Sequence, residues 1–209
     1  MEDVLDLYAE AEDPLRPRVC FDEMPYQLVA ETRPAIPMQA GQPKRQDYEY
    51  RRMGTCNLFQ FFNPFAGWRH VKVTDQRTKI DFARCMQDLV DVHYPEAEVI
   101  RVVLDNLNTH TYAALYETFP PHEARRLARK LEFHFTPKHG SWLNMAEIEF
   151  SVIIRQVLDA WLADKQVVQS NLDAWSAPRN RDKVGVDWQF TTEKARQKLQ
   201  RLYPSISDW

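Results

Sequence analysis

The sequence predicts an α/β domain, a mixed five-stranded sheet flanked by helices, and three observations carry that expectation. Aromatic and β-branched runs alternate with stretches of helical periodicity in the order strand, hairpin, helix, strand, helix, strand, helix. The run Val99 to Asp105 is apolar nearly throughout, as a central strand covered on both faces must be, and it follows a helix, which favours a parallel placement. With 209 residues, 44% of them hydrophobic and 12% aromatic, the chain can bury one sizeable core but not two large ones.

Val4, Leu5, Leu7 and Tyr8 among acids read as a short helix that ends near Pro14. Arg18 to Asp22 reads as a first strand, stopped by Pro25. From Glu31 to Arg52 the composition turns to loop chemistry, with Pro34, Pro37, Gly41 and Pro43. Lys44, Arg45, Arg51 and Arg52 form a compact basic cluster there, either a solvated loop or a set of phosphate contacts. Gly54 to Asn63 and Trp68 to Val73 flank the turn signal Pro64-Phe65-Ala66-Gly67 and fit a hairpin.

Ile80, Phe82, Ala83, Met86, Leu89 and Val90 recur at helical spacing until Pro95 breaks the pattern. His110 to Leu131 reads as one helix interrupted at Pro120-Pro121, and Glu132 to Thr136 then alternates like a strand. The last long helix places Leu143, Glu147, Phe150, Ile154, Leu158 and Trp161 at steps of three or four, so Glu147 falls within an apolar stripe and Glu149 on the solvent side. A carboxylate in an apolar stripe is costly unless it is paired or binds a cation. The remainder, with Trp175, Trp188, Phe190 and a basic helix from Thr192 to Leu202, reads as an extension packed on the core. The expected division is therefore residues 1–175 for the main domain and 176–209 for the extension.

Composition narrows the function. No apolar run approaches the roughly 20 residues of a membrane span, and the first residues lack the regions of a signal peptide, so a cytoplasmic protein with no membrane partner is expected. Cys20, Cys56 and Cys85 are widely spaced with no CxxC pair, which excludes a disulfide framework or a structural zinc site as the organising element. The net charge of −3 lacks the bulk basic footprint of a nucleic-acid binder, so any DNA contact must come from local patches. One such run, Arg125, Arg126, Arg129 and Lys130, reads equally as a solvated helix face.

Acids stand at the end of the first strand (Asp22), at the end of the central strand (Asp105) and on the last long helix (Glu147). Three converging carboxylates can hold two divalent cations about 3.5 to 4 Å apart, which activate an attacking oxygen and stabilise a leaving one in phosphodiester displacement. An oxygen-only set suits magnesium better than zinc. Glu23, next to Asp22, points to the opposite face if the strand continues, which argues against a ligand role.

These blocks, CFDE at 20–23, VLDNLNTH at 103–110 and PKHGSWLNMAEIEF at 137–150, resemble the catalytic blocks of the IS630 transposases, in the Tc1/mariner superfamily of DDE enzymes. PRNRDKVGVDWQFT and EKARQKLQRLYPS are similar to that family's C-terminal end. The resemblance implies an RNase H-like fold in which Asp22, Asp105 and Glu147 bind Mg2+, or Mn2+ in its place, for DNA strand cleavage and strand transfer at transposon ends and TA target sites. It also implies a homodimer in the DNA complex and a protein that is nucleoid-associated when on DNA. Asn106 and His110 are expected to orient substrate or a metal-bound water, unless Asn106 caps a following helix; Lys138 and His139 are expected to contact phosphate.

Enzymes of this type carry N-terminal helix-turn-helix modules, and none is expected in this chain. A separately encoded helix-turn-helix partner or a truncated copy would account for that. The other readings are a catalytically inactive remnant that binds DNA or protein, and a host RNase H-like nuclease.

Overall fold

A computed structural model of the chain describes residues 1–33, 36–43 and 49–203. Five strands, β1 (Arg18–Glu31), β2 (Tyr50–Asn63), β3 (Trp68–Thr74), β4 (Ile100–Leu104) and β5 (Leu131–Phe135), form one sheet in the order β3-β2-β1-β4-β5. The first three make an antiparallel meander, and β4 and β5 add parallel to β1 and to each other. This is the expected mixed sheet.

Alternation along the strands explains the layering. Val19, Phe21, Val102 and Leu104 point to one face, where they pack with Phe82 and Met86 of α2 (Lys79–Asp88), Leu115 of α3 (Tyr112–Thr118) and Leu127 of α4 (Pro121–Lys130). Cys20, Phe62 and Val103 point to the other face, against Leu5 and Tyr8 of α1 (Glu2–Ala9), Met145 and Ala146 of α5 (Met145–Gln156) and Ala195 of α7 (Thr192–Lys198). Further along that face, Leu28, Cys56 and Val71 pack with Ile153 and with Val168 and Leu172 of α6 (Lys165–Arg181). All five residues of β4 are buried, as a strand sandwiched between two helical layers requires.

Several local expectations change. Pro25 does not stop β1, which continues to Glu31 with Pro25 in register with Asn57. Pairing with β4 ends at Cys20, so β1 has an open edge beyond it, and a residue without an N–H is tolerated there. The stretch around Pro120-Pro121 is two separate helices, with Pro121 at the first position of α4, where a missing N–H costs nothing. The helix expected to run on to Trp161 ends at Gln156, and α6 begins after Asp164, whose carboxylate accepts from the N–H groups of Gln166 and Val167.

The α6 helix also runs unbroken through the expected boundary at 175/176. The residues after it return to α1: Thr192 donates to Asp6 at 2.6 Å, Arg196 pairs with Glu2 at 2.8 Å, and the Trp188 ring meets Tyr8 edge-on at 5.4 Å. The expected helix from Thr192 to Leu202 is α7 followed by a single 3-10 turn, Gln200–Leu202. The turn between β2 and β3 needs Gly67, which adopts φ 66° and lies so close to Lys183 that a Cβ would meet its carbonyl carbon at 2.3 Å. Among the described residues, no helix is long and apolar enough to cross a membrane.

Candidate active site at the carboxylate end of the sheet

Strand register alone brings two of the acids together. The last parallel pair between β1 and β4 is Cys20 with Val103, and two residues further on each strand come Asp22 and Asp105. Two residues before each, Cys20 and Val103 face α1 and α5, so alternation turns both acids toward that layer. Helix α5 supplies the third. Its N-cap, Asn144, is 1% exposed; the side-chain oxygen accepts from Ala146 N–H at 3.1 Å, and the side-chain nitrogen donates to the Phe21 carbonyl at 2.8 Å. Tyr8 adds a bond from its hydroxyl to the Leu143 carbonyl at 2.8 Å. The start of α5 is thereby tied to β1 one residue before Asp22, with Glu147 in its first turn.

The electrostatics report the same proximity. Burial pushes the Asp22 carboxyl up to about 7; the Glu23 N–H bonded to it at 2.8 Å opposes this, and the charges of Glu23, Asp105 and Glu147 add to it. Burial would raise Asp105 as well, but the hydrogen bond and charge of His110 outweigh it and hold that carboxyl below its ordinary value.

His110 is 1% exposed, between Phe82 at 4.9 Å and Phe21 at 5.5 Å. Its Nδ1 stands 2.6 Å from Asp105 Oδ1 and its Nε2 2.9 Å from Glu23 Oε2. Burial works against its charge, yet these two carboxylates push it up to about 9, so the ring is a double donor at neutral pH.

A hard divalent cation fits this donor set. The three acids offer only oxygens, and Gln60, opposite Asp22 in the register, is fully buried with a side-chain oxygen that has no partner among the described residues. A bound cation would offset both the burial that raises the Asp22 carboxyl and the repulsion from its acidic neighbours that adds to it. Among the described residues, no three His, Cys, Asp or Glu side chains are already gathered as the ligands of one ion.

The other expected residues divide. Lys138 and His139 are exposed and, with Asp105 and Leu107, line a groove of about 440 Å³. Asn106 Nδ2 donates to the Thr136 carbonyl at 2.8 Å, so it ties the loop after β4 to the end of β5 instead of capping α3. His110 faces carboxylates in the interior and not the groove. Arg51 and Arg52 are exposed on β2, and Arg52 pairs with Val29, seven residues (29 − 22) beyond Asp22, which is about 23 Å along the strand. Lys44 and Arg45 lie outside the described residues.

The reading of the α5 face is corrected. The buried side of α5 is Met145, Ala146, Glu149, Phe150 and Ile153, and Ile154 is 47% exposed. Glu149, expected in solvent, is 6% exposed and bonded to Arg69 Nε at 2.5 Å, whereas Glu147 is only partly buried. Glu147 still faces the site, because the cap at Asn144 and not an apolar stripe orients it. The Asn-x-x-Glu spacing at 144–147 is the signal that could have identified Asn144 from sequence. Nothing in the sequence pattern pairs Glu23 with His110.

Residues 17–168, which include Asp22, Asp105 and Glu147, match a family model described as DDE superfamily endonuclease. Among solved structures, the chain is similar to the Mos1 mariner paired end complex with Mn, with a TM-score of 0.54 at 16% identity, covering 87% of this chain and 55% of that one. It also matches the Mos1 strand transfer complex, at 14% identity over 89% of this chain and 59% of that one, with a TM-score of 0.39. No curated protein matches. The chain thus spans little more than half the length of the Mos1 chains it matches. With the match over 17–168 and the mixed five-stranded sheet shared with Mos1, the chain belongs to the DDE superfamily of endonucleases and has their RNase H-like fold.

Proposed function

We propose that this chain is the catalytic part of a transposase of the IS630 branch of the Tc1/mariner enzymes, cutting DNA at transposon ends and joining the 3′-hydroxyl to target DNA at TA sites. The observation that carries this reading is the convergence of Asp22, Asp105 and Glu147 at one end of the sheet, through strand register and the Asn144 cap, within the stretch that matches the DDE family.

Asp22, Asp105 and Glu147 would hold the divalent cations, Mg2+ or Mn2+. These ions supply charge stabilisation and an activated oxygen for in-line displacement at phosphorus. The chain's own residues bind and orient. Lys138 and His139, on the wall of the groove beside Asp105, contact backbone phosphate, and Asn106 fixes the loop that forms the opposite wall. The exposed Arg51 and Arg52 provide a second, distant contact for duplex DNA.

The partners in this reading are transposon-end and target DNA, a second copy of the chain, and a helix-turn-helix module for end recognition. A Mos1 structure that shares this fold is a paired end complex with Mn, which supports the choice of DNA and metal as ligands. The test is incubation of the purified chain with labelled duplex DNA and Mg2+ or Mn2+. Nicking that is lost on chelation and lost in Asp105→Asn is expected. Metal-dependent cleavage retained by Asp105→Asn would sink the assignment.

A further inference from the structure

Glu23 is an acid that the reaction does not use directly. Strand alternation sends it to the face opposite Asp22, under α2 and α3, where its side chain is 3% exposed. A carboxylate buried there needs a partner, and His110 Nε2 is that partner at 2.9 Å. The ring is itself clamped between Phe21 and Phe82, and its other nitrogen reaches Asp105 Oδ1 at 2.6 Å. The Leu107 N–H also donates to Oδ1, at 3.2 Å. The ring is hydrogen-bonded through Nδ1 to the Asp105 backbone carbonyl at 3.3 Å as well, so ring and N–H both stand against Oδ1, while Oδ2 carries no hydrogen bond among the described residues. The chain Glu23–His110–Asp105 crosses the sheet from its α2 face to the carboxylate site.

We propose that Glu23 and His110 are positioning residues, which lock the Asp105 carboxylate in one orientation through the hydrogen-bonded chain Glu23–His110–Asp105 so that Oδ2 is presented to a divalent cation. The inference rests on the reading of Asp105 as a metal ligand. Without the chain, Asp105, one residue beyond β4, keeps only the Leu107 N–H on its carboxylate and must be ordered further by the ion itself, which weakens binding. Outer partners that orient a ligating group act in this way, and their loss costs about 10- to 100-fold in metal affinity.

The test measures Mn2+ affinity of the full chain by electron paramagnetic resonance, with near-ultraviolet circular dichroism to confirm packing. Glu23→Ala and His110→Ala are expected to weaken Mn2+ binding by about 10- to 100-fold in a folded chain. Glu23→Gln, whose carboxamide oxygen still accepts from Nε2, is expected to recover most of that loss, whereas Glu23→Met, which fills the same space without an acceptor, is not. Asp105→Asn serves as the reference. If it weakens binding while the folded Glu23 and His110 variants do not, the positioning role is overturned and the metal site stands. If Asp105→Asn leaves binding unchanged, the metal site itself fails and the inference falls with it. Should the alanine variants not fold, Glu23→Met against Glu23→Gln decides: Mn2+ binding at least about 10-fold weaker in the methionine variant supports the chain, and equal binding overturns it.

Discussion

Glu147 and Glu149 stand two residues apart on one helix and meet opposite surroundings. At 100° per residue they point about 200° apart, so one lies beside Asp22 and Asp105 while the other is driven into the sheet. Glu149 is buried against Arg69, which is 2% exposed, hydrogen-bonds the Val184 carbonyl, and is gripped through its backbone by both ends of the Asn180 carboxamide at 2.8 Å. Burial pushes Glu149 up and Arg69 down against their mutual attraction. This pair joins β3, α5 and the stretch after α6. Glu147 shares a site with two other acids, and its carboxylate has no hydrogen-bonded or ionic partner among the described residues. Burial of a carboxylate therefore does not separate these two residues by role; the presence or absence of an ionic partner does.

Five variants sharpen or break that contrast. Glu147→Gln is expected to reduce metal-dependent cleavage to background while changing unfolding free energy by no more than about 0.5 kcal/mol, because it removes no packing. Cleavage assays beside urea denaturation check both halves. Glu149→Ala should do the reverse to stability and lower it by about 3–5 kcal/mol, since it leaves the Arg69 guanidinium buried and unpaired. Replacing the pair together, as Arg69→Met with Glu149→Leu, should restore most of that loss in the same denaturation experiment.

Asn144→Ala should cost about 0.5–2 kcal/mol through the lost cap. It should also lower cleavage, because the tie between α5 and Phe21 that brings Glu147 to Asp22 is gone. Smallest is Lys138→Ala, which is expected to weaken DNA binding uniformly across sequences and to reduce the slope of log affinity against log salt by about 1.

Much of the sheet was legible in the sequence because strand signals are local. The alternation of Val19, Cys20, Phe21 and Asp22 and the apolar run into Asp105 are written in consecutive residues, and the parallel register then follows from the crossover through α2. The face of α5 was not legible in that way. Counting Leu158 and Trp161 into its stripe rotated the apparent apolar side, because periodicity does not reveal that the helix stops at Gln156. Pro25 misled for a related reason: whether a proline ends a strand depends on whether a neighbour pairs with that edge. The pairs that decide the two carboxylate environments are further still from any sequence pattern. Arg69 and Glu149 are separated by 80 positions and Glu23 and His110 by 87, distances that only the assembled fold closes.

The most direct test of the central claim is anomalous diffraction from crystals of the chain equilibrated with Mn2+. The account predicts an anomalous peak between Asp22 and Asp105 with an oxygen of Glu147 facing it, and loss of that peak in Asp105→Asn. Manganese bound elsewhere in the fold, with no peak at these three carboxylates, would contradict it.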